Sequence, residues 1–118
     1  GDIGYLDDDG YLFLVDRKKE MILVGGYNVY PREVDEVLLN HDAIREAAAV
    51  AMADEFSGEV VKACVSLMPG QELSEQDIID YCAERLVKYK IPKAVEFFEE
   101  LPKTGPAKID KLKLRGLR

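Results

Sequence analysis

At 118 residues, 47% of them hydrophobic and 33% charged, the chain has the composition of one folded domain long enough to bury a core. A net charge of −7 argues against nucleic acid or an anionic membrane surface as the main partner, since both attract basic faces. No run approaches the ~18 apolar residues of a membrane span, no signal peptide is expected, and Cys64 and Cys82 lack metal-type spacing; they read as buried free thiols in a reducing, cytoplasmic compartment.

In chain order, residues 3–6 and 11–15 are apolar-aromatic runs joined by Asp7-Asp8-Asp9-Gly10, the pattern of a β-hairpin. A charged break, Asp16 to Glu20, follows. Met21 to Val24 then predicts a short strand running into Gly25-Gly26, a pair that lets a backbone approach a neighbour closely. Tyr27 and Tyr30 sit in an aromatic-bearing turn and read as packing residues. Pro31 suits the first position of a helix whose Val34, Val37 and Leu38 fall on one face, and which stops near Asn40 and His41. His41 reads as structural.

Glu46 to Ala53 and Val60 to Met68 are strand candidates linked by a polar turn. In the second, Val61, Ala63, Val65 and Leu67 alternate with Lys62, Cys64 and Ser66, which predicts one buried face. Ser74 and Asp77 are spaced to cap a helix of about fifteen residues, its stripe formed by Ile78, Ile79, Cys82, Leu86 and Val87 and its end set by Pro92. A short strand from Ala94 to Phe98, a polar loop after Leu101-Pro102 and a short helix from about Asp110 complete the chain. The expected fold is α+β: a small, mostly antiparallel sheet with two to three packed helices, preceded by a β-hairpin.

Basic residues dominate from Lys103 to Arg118, where Asp110 is the only acid. That imbalance on an acidic chain implies a local anion partner. Lys108 stands in PKTGPAKIDKLKLR, on a loop stiffened by Pro102 and Pro106 and loosened by Gly105, where a lysine is a mobile point charge. By composition alone it reads as a solvated lysine. The phosphate-binding pattern GxxxxGK[ST] is absent, and no metal-ligand cluster is spaced along the chain.

Two long stretches, together with the Gly1-Asp2 pair, carry a resemblance. DRKKEMILVGGYNVYPREVDEVL, from Asp16 to Leu38, resembles the hinge-and-tunnel segment of the adenylate-forming enzymes. PKTGPAKIDKLKLR is similar to their C-terminal lysine motif, P-K-T-x-x-G-K-I-x-R-x-x-L-R, with Ala107 in place of Gly and Lys111 in place of Arg. The wording GGYNVYPREVDEVL most resembles acyl-CoA (fatty acid–CoA) ligases; peptide-synthetase adenylation domains read closer to KIRGxRIELGEIE there.

The resemblance implies a division at the hinge. Residues 1–18 would end an N-terminal adenylation domain, and residues 19–118 would form the mobile C-terminal domain of an AMP-forming ligase, with Lys19 as the hinge. Lys108 would bridge the carboxylate substrate and the α-phosphate of ATP, where charge builds in the transition state. Asp2, after Gly1, would hold the ribose hydroxyls, and Arg17 would contact the nucleotide. Gly25 and Gly26 would line the pantetheine tunnel of CoA. ATP, CoA and Mg²⁺ are implied, the Mg²⁺ held mainly outside this stretch, with the chain's own N-terminal domain and a carboxylic acid as partners. The chain opens inside a strand-and-turn pattern, so a piece of a longer enzyme, inactive by itself, is expected. The alternatives are a relative that does not use free CoA (an acyl-AMP ligase, a luciferase or a peptide-synthetase adenylation domain) and a non-catalytic binding module on the same fold.

Overall fold

The computed structural model describes residues 21–106 and 108–116. The hairpin expected over residues 3–15, the boundary at residues 18–19, and Asp2, Arg17 and Lys19 lie outside the described residues.

The first described elements form a tight hairpin, β1 (Ile22–Val24) and β2 (Tyr27–Val29), with Val24 paired to Tyr27 across Gly25-Gly26. Both glycines have positive φ, 57° and 88°, as a two-residue type I′ turn requires. Residues 27–29, expected as a turn, are therefore a strand. Helix α1 (Pro31–Leu39) follows, with Pro31 at its start and Asn40 as C-cap, and it buries Pro31, Val34 and Leu38.

The long strands β3 (Ile44–Asp54) and β4 (Gly58–Leu67) pair antiparallel along almost their whole length, from Ile44↔Leu67 to Asp54↔Gly58. Strand β4 is the hub. It meets β1 at Gly58 and, through Lys62 to Val65, it takes β5 (Ala94–Phe97) as a parallel neighbour. The sheet is mostly antiparallel, as expected.

Helix α2 (Glu75–Ala83) opens on the predicted capping box: Ser74 Oγ accepts from the Asp77 amide and Asp77 accepts from the Ser74 amide. It is nine residues long, shorter than the fifteen expected. The amides of Arg85 and Leu86 both converge on the carbonyl of Cys82, tightening the last turn, and Val87 is extended. The apolar stripe ends with it, since Val87 is 55% exposed while Ile78 and Cys82 are fully buried. A 3₁₀ turn, Lys88–Lys90, then steers the chain so that the Lys93 amide reaches the Val61 carbonyl and β5 docks.

The expectation of one buried face on β4 is corrected. Val61, Ala63 and Val65 do pack under α1 and α2 with Ile22, Val34, Leu38, Ile78 and Cys82. The opposite row is covered too: Cys64, Ala48 and Val50 pack with Leu101 and Leu114, with Phe98 and Ile109 beside them. Polar members of that row are satisfied individually, Lys62 by Glu96 at 2.5 Å and the buried Ser66 by Glu46 at 2.9 Å. The polar loop expected after Pro102 supplies this second layer. It is a two-stranded hairpin, β6 (Lys103–Gly105) with β7 (Lys108–Ile109), followed by helix α3 (Lys111–Leu114) capped by Asp110.

Candidate functional site

Lys108 is the first residue of β7, across from Gly105, and Thr104, Gly105, Pro106 and Lys108 are all exposed. Below them the hairpin is fastened. Lys103 pairs with Ile109, and the Asp110 amide donates to the Pro102 carbonyl at 2.8 Å. Asp110, itself buried, accepts from the Lys113 amide at 3.1 Å and so starts α3. Lys111, where the motif has Arg, reaches Asp35 Oδ2 at 3.3 Å, and Asp35 Oδ1 accepts from the Ala49 amide at 2.6 Å. The lysine at position 111 thus ties α3 to α1 and to the middle of β3. The Leu101 and Leu114 side chains fix the same segment in the second core layer.

A carboxylate fastens the other side of the hairpin. Glu46 Oε2 lies 2.7 Å from Lys103 Nζ, and its Oε1 accepts from Ser66 Oγ at 2.9 Å and from the Leu101 amide at 3.1 Å. Burial works to raise the Glu46 carboxyl. The donated bonds from Lys103, the Leu101 amide and Ser66 together outweigh it and hold the group at about 2. Lys103 is correspondingly pushed up, first by its bond to Glu46 and further by Glu100. Sequence reading placed Lys103 in the motif and missed Glu46, which is 57 residues away in the chain. The one local signal was a carboxylate at the edge of the apolar run from Ala47 to Ala53.

Among the described residues Lys108 makes no side-chain hydrogen bond or ion pair, unlike Lys103, Lys90 and Lys111. An exposed ammonium on a fastened hairpin can be offered to an anion without breaking an existing pair.

Gly25 and Gly26 form the second candidate site, and they are held from the β3–β4 turn. The Gly25 amide donates to the Ser57 carbonyl at 2.9 Å, and the Leu23 amide donates to Glu59 Oε1 at 3.0 Å. Asp54 Oδ2 shapes that turn by accepting from the amides of Phe56 and Ser57. A Cβ on either glycine would meet nothing within 4 Å inside this domain, so the positive φ and not internal crowding is what demands glycine here. Next to the turn, Tyr27 stacks on Tyr89 with ring centroids 4.6 Å apart, and Lys90 bridges both oxygens of Glu33. Tyr27 and Tyr30 are about half exposed, and of the two Tyr27 packs as expected, on Tyr89, which is itself partly buried against the core.

The fastenings of the two sites stand at opposite ends of the β3–β4 ladder, Glu46↔Ser66 at one and Asp54↔Gly58 at the other. With a rise of about 3.3 Å per residue, that is roughly 25 Å along the strand. His41 is a structural residue, its Nδ1 accepting from the Ala43 amide and its ring set edge-on to Tyr81. Cys64 and Cys82 are free and buried, and burial pushes both thiols up to about 11, which leaves them inert near neutrality. Among the described residues there is no group of His, Cys, Asp or Glu able to hold a metal ion, and no helix long and apolar enough to cross a membrane.

Residues 33–108 match the family profile of the AMP-binding enzyme C-terminal domain. The long-chain-fatty-acid–CoA ligase of Bacillus subtilis (strain 168) is 47% identical over 109 residues, which is 92% of this chain and 20% of that protein. The 2-succinylbenzoate–CoA ligase of Bacillus mycoides (strain KBAB4) is 45% identical over 117 residues, covering 99% of this chain and 24% of that one. Among solved structures, o-succinylbenzoate CoA synthetase from Bacillus subtilis, in complex with its acyl-adenylate intermediate, superposes with a TM-score of 0.77 at 37% identity over 83% of this chain and 20% of that one. This chain therefore spans about a fifth to a quarter of the length of these relatives.

Proposed function

We propose a function from one premise: this chain belongs to the family of AMP-binding enzyme C-terminal domains. The whole protein is an ATP-dependent, AMP-forming carboxylate–CoA ligase, and residues 19–118 are its mobile catalytic lid. The supporting observation is the exposed ammonium of Lys108, unpartnered among the described residues, on a hairpin fastened to the sheet, in register with the motif lysine of the family.

The reaction has two displacements. A carboxylate oxygen of the acid attacks the α-phosphorus of ATP and expels pyrophosphate, leaving an acyl-adenylate. The CoA thiol then attacks the acyl carbonyl and expels AMP, conserving the acyl group as a thioester. Lys108 acts in the first step as a fixed cation between the incoming carboxylate and the α-phosphate, where it offsets charge that grows in the transition state. A lysine has three donors and a flexible stem, so it can follow the phosphate oxygens as they move. Mg²⁺ would arrive with the phosphates of ATP.

The Gly25-Gly26 turn serves the second step by bringing a surface without side chains beside the pantetheine arm. The rotation between the two states is assigned to Lys19, while Asp2 and Arg17 serve the nucleotide on the N-terminal side of that hinge. The acid is proposed to be a fatty acid. The B. subtilis fatty-acid ligase and the 2-succinylbenzoate ligase resemble this chain about equally, which fits selection of the acid outside this lid.

The test uses the full-length protein with ATP, Mg²⁺ and a panel of fatty and aromatic acids, following AMP release with and without CoA. CoA-dependent AMP release that is fastest with a fatty acid is the expected result. Adenylate formation that CoA leaves unchanged would overturn the ligase reading in favour of an enzyme that loads another acceptor.

A further inference from the structure

Two lysines five residues apart in the chain share the β6–β7 hairpin and meet opposite fates. The Lys103 ammonium has three N–H donors and three acceptors around it: Glu46 Oε2 at 2.7 Å, the Leu101 carbonyl at 3.0 Å and Glu100 Oε2 at 3.3 Å. It has no donor left for a phosphate. Lys108, across the same ladder, keeps its donors free among the described residues. Lys103 therefore works as a fastening, and the group that makes it one is Glu46.

The Glu46 carboxylate reaches from β3 to the root of the hairpin. It accepts from Ser66, which is fully buried, from the Leu101 amide and from Lys103, so one side chain fixes strand β4, the backbone entering the hairpin and the first residue of β6. Lys103 is the ladder partner of Ile109, the residue next to Lys108. A shift of the Lys103 end is thus passed across one strand pair to the ammonium. From these contacts we infer that Glu46, acting through Lys103, is a positioning residue for the adenylation half-reaction, holding Lys108 in register without touching substrate. This rests on the reading of Lys108 given above and adds to it the pair that aims the lysine.

The measurement separates the two half-reactions of the full-length enzyme. Adenylation is read as ATP–pyrophosphate exchange with the preferred acid. Thioester formation is read from supplied acyl-adenylate and CoA. Melting temperatures accompany each variant. Glu46→Gln and Lys103→Met should lower the exchange kcat by about tenfold to a hundredfold, as misplacement by about 1 Å does, while KM for ATP and acid and the thioester rate change by less than about twofold. Lys103→Arg, which restores a cation facing Glu46, should recover most of the exchange. The double variant Glu46→Gln/Lys103→Met should be no slower than the slower single variant, because the pair acts as a unit.

Equal losses in both half-reactions would overturn the inference, since a generally loosened lid would damage both. Exchange at the original rate in both single variants, with Lys108→Ala inactive in exchange, would overturn it while leaving the role of Lys108 intact. Exchange that survives Lys108→Ala would overturn the reading of Lys108 itself, and the positioning role with it.

Discussion

Replacing Glu46 by Gln in this chain keeps the shape of the side chain and its ability to accept from Ser66 and the Leu101 amide, but removes the charge facing Lys103. In the folded chain the carboxyl is held at about 2 against an ordinary value of 4.5, a difference that corresponds to a ceiling of about 3 kcal/mol of stability. The side chain is 21% exposed and its partner 23%, and screening at such a rim reduces this to about 1–2 kcal/mol. The sign follows from the lowered folded-state pKa. The stabilisation is complete above about 4.5 and is lost as pH falls toward about 2. Urea denaturation of the chain and of Glu46→Gln, followed by far-ultraviolet circular dichroism at pH 7, 5, 4 and 3, reads the difference directly, because other carboxylates titrate in both. The original chain should be more stable by about 1–2 kcal/mol at pH 7, with the gap closing through pH 4 and 3. A gap that stays constant from pH 7 to 3 would refute the charge-based account, and no gap at any pH would refute the tie.

Lys108→Ala in the full-length enzyme should abolish pyrophosphate exchange and largely spare thioester formation from supplied adenylate; exchange at the original rate would remove Lys108 from the first step. Gly26→Ala should cost the domain about 1 kcal/mol, from the backbone alone, given φ of 88° and open space around a Cβ. Gly26→Trp in the full-length enzyme should in addition stop thioester formation while leaving exchange in place, and equal effects on both steps would exclude the tunnel role. Leu38→Ala, at a fully buried position under the sheet, should destabilise by about 2–5 kcal/mol in urea denaturation, and a loss below about 1 kcal/mol would contradict the packing described. Lys19→Pro should slow overall turnover while pyrophosphate exchange continues, and unchanged turnover would exclude a hinge at that residue.

What the sequence made legible was local. Pro31 marks the start of α1, and Ser74 with Asp77 marks the start of α2, because capping and proline chemistry act within one turn. Gly25-Gly26 stood out as a backbone requirement, although its cause is the hairpin turn that places two residues at positive φ. The unforeseen features depend on distant partners. Helix α2 stops early because β5 must come alongside β4. The second face of β4 is buried because Leu101 and Leu114 fold back over Cys64, more than thirty residues earlier in the chain. Alternation in β4 could not announce that cover, since Lys62 and Ser66 look solvent-facing until Glu96 and Glu46 arrive. Lys108 was recognisable from its motif, while the carboxylate that braces its hairpin was not, because the Glu46–Lys103 pairing exists only across the folded sheet.

The placement of the two cysteines has an experimental use. Cys82 belongs to the layer under α1 and α2, and Cys64 to the layer beneath the C-terminal hairpin. Each is fully buried and each thiol is pushed up to about 11, so neither reacts with an alkylating reagent until its own side of the sheet opens. The domain thus carries an opening reporter for each layer. If the segment bearing Lys108 lifts from the sheet while the helical side stays closed, Cys64 becomes modified and Cys82 does not, and the ratio of the two labels measures how independently the C-terminal hairpin breathes.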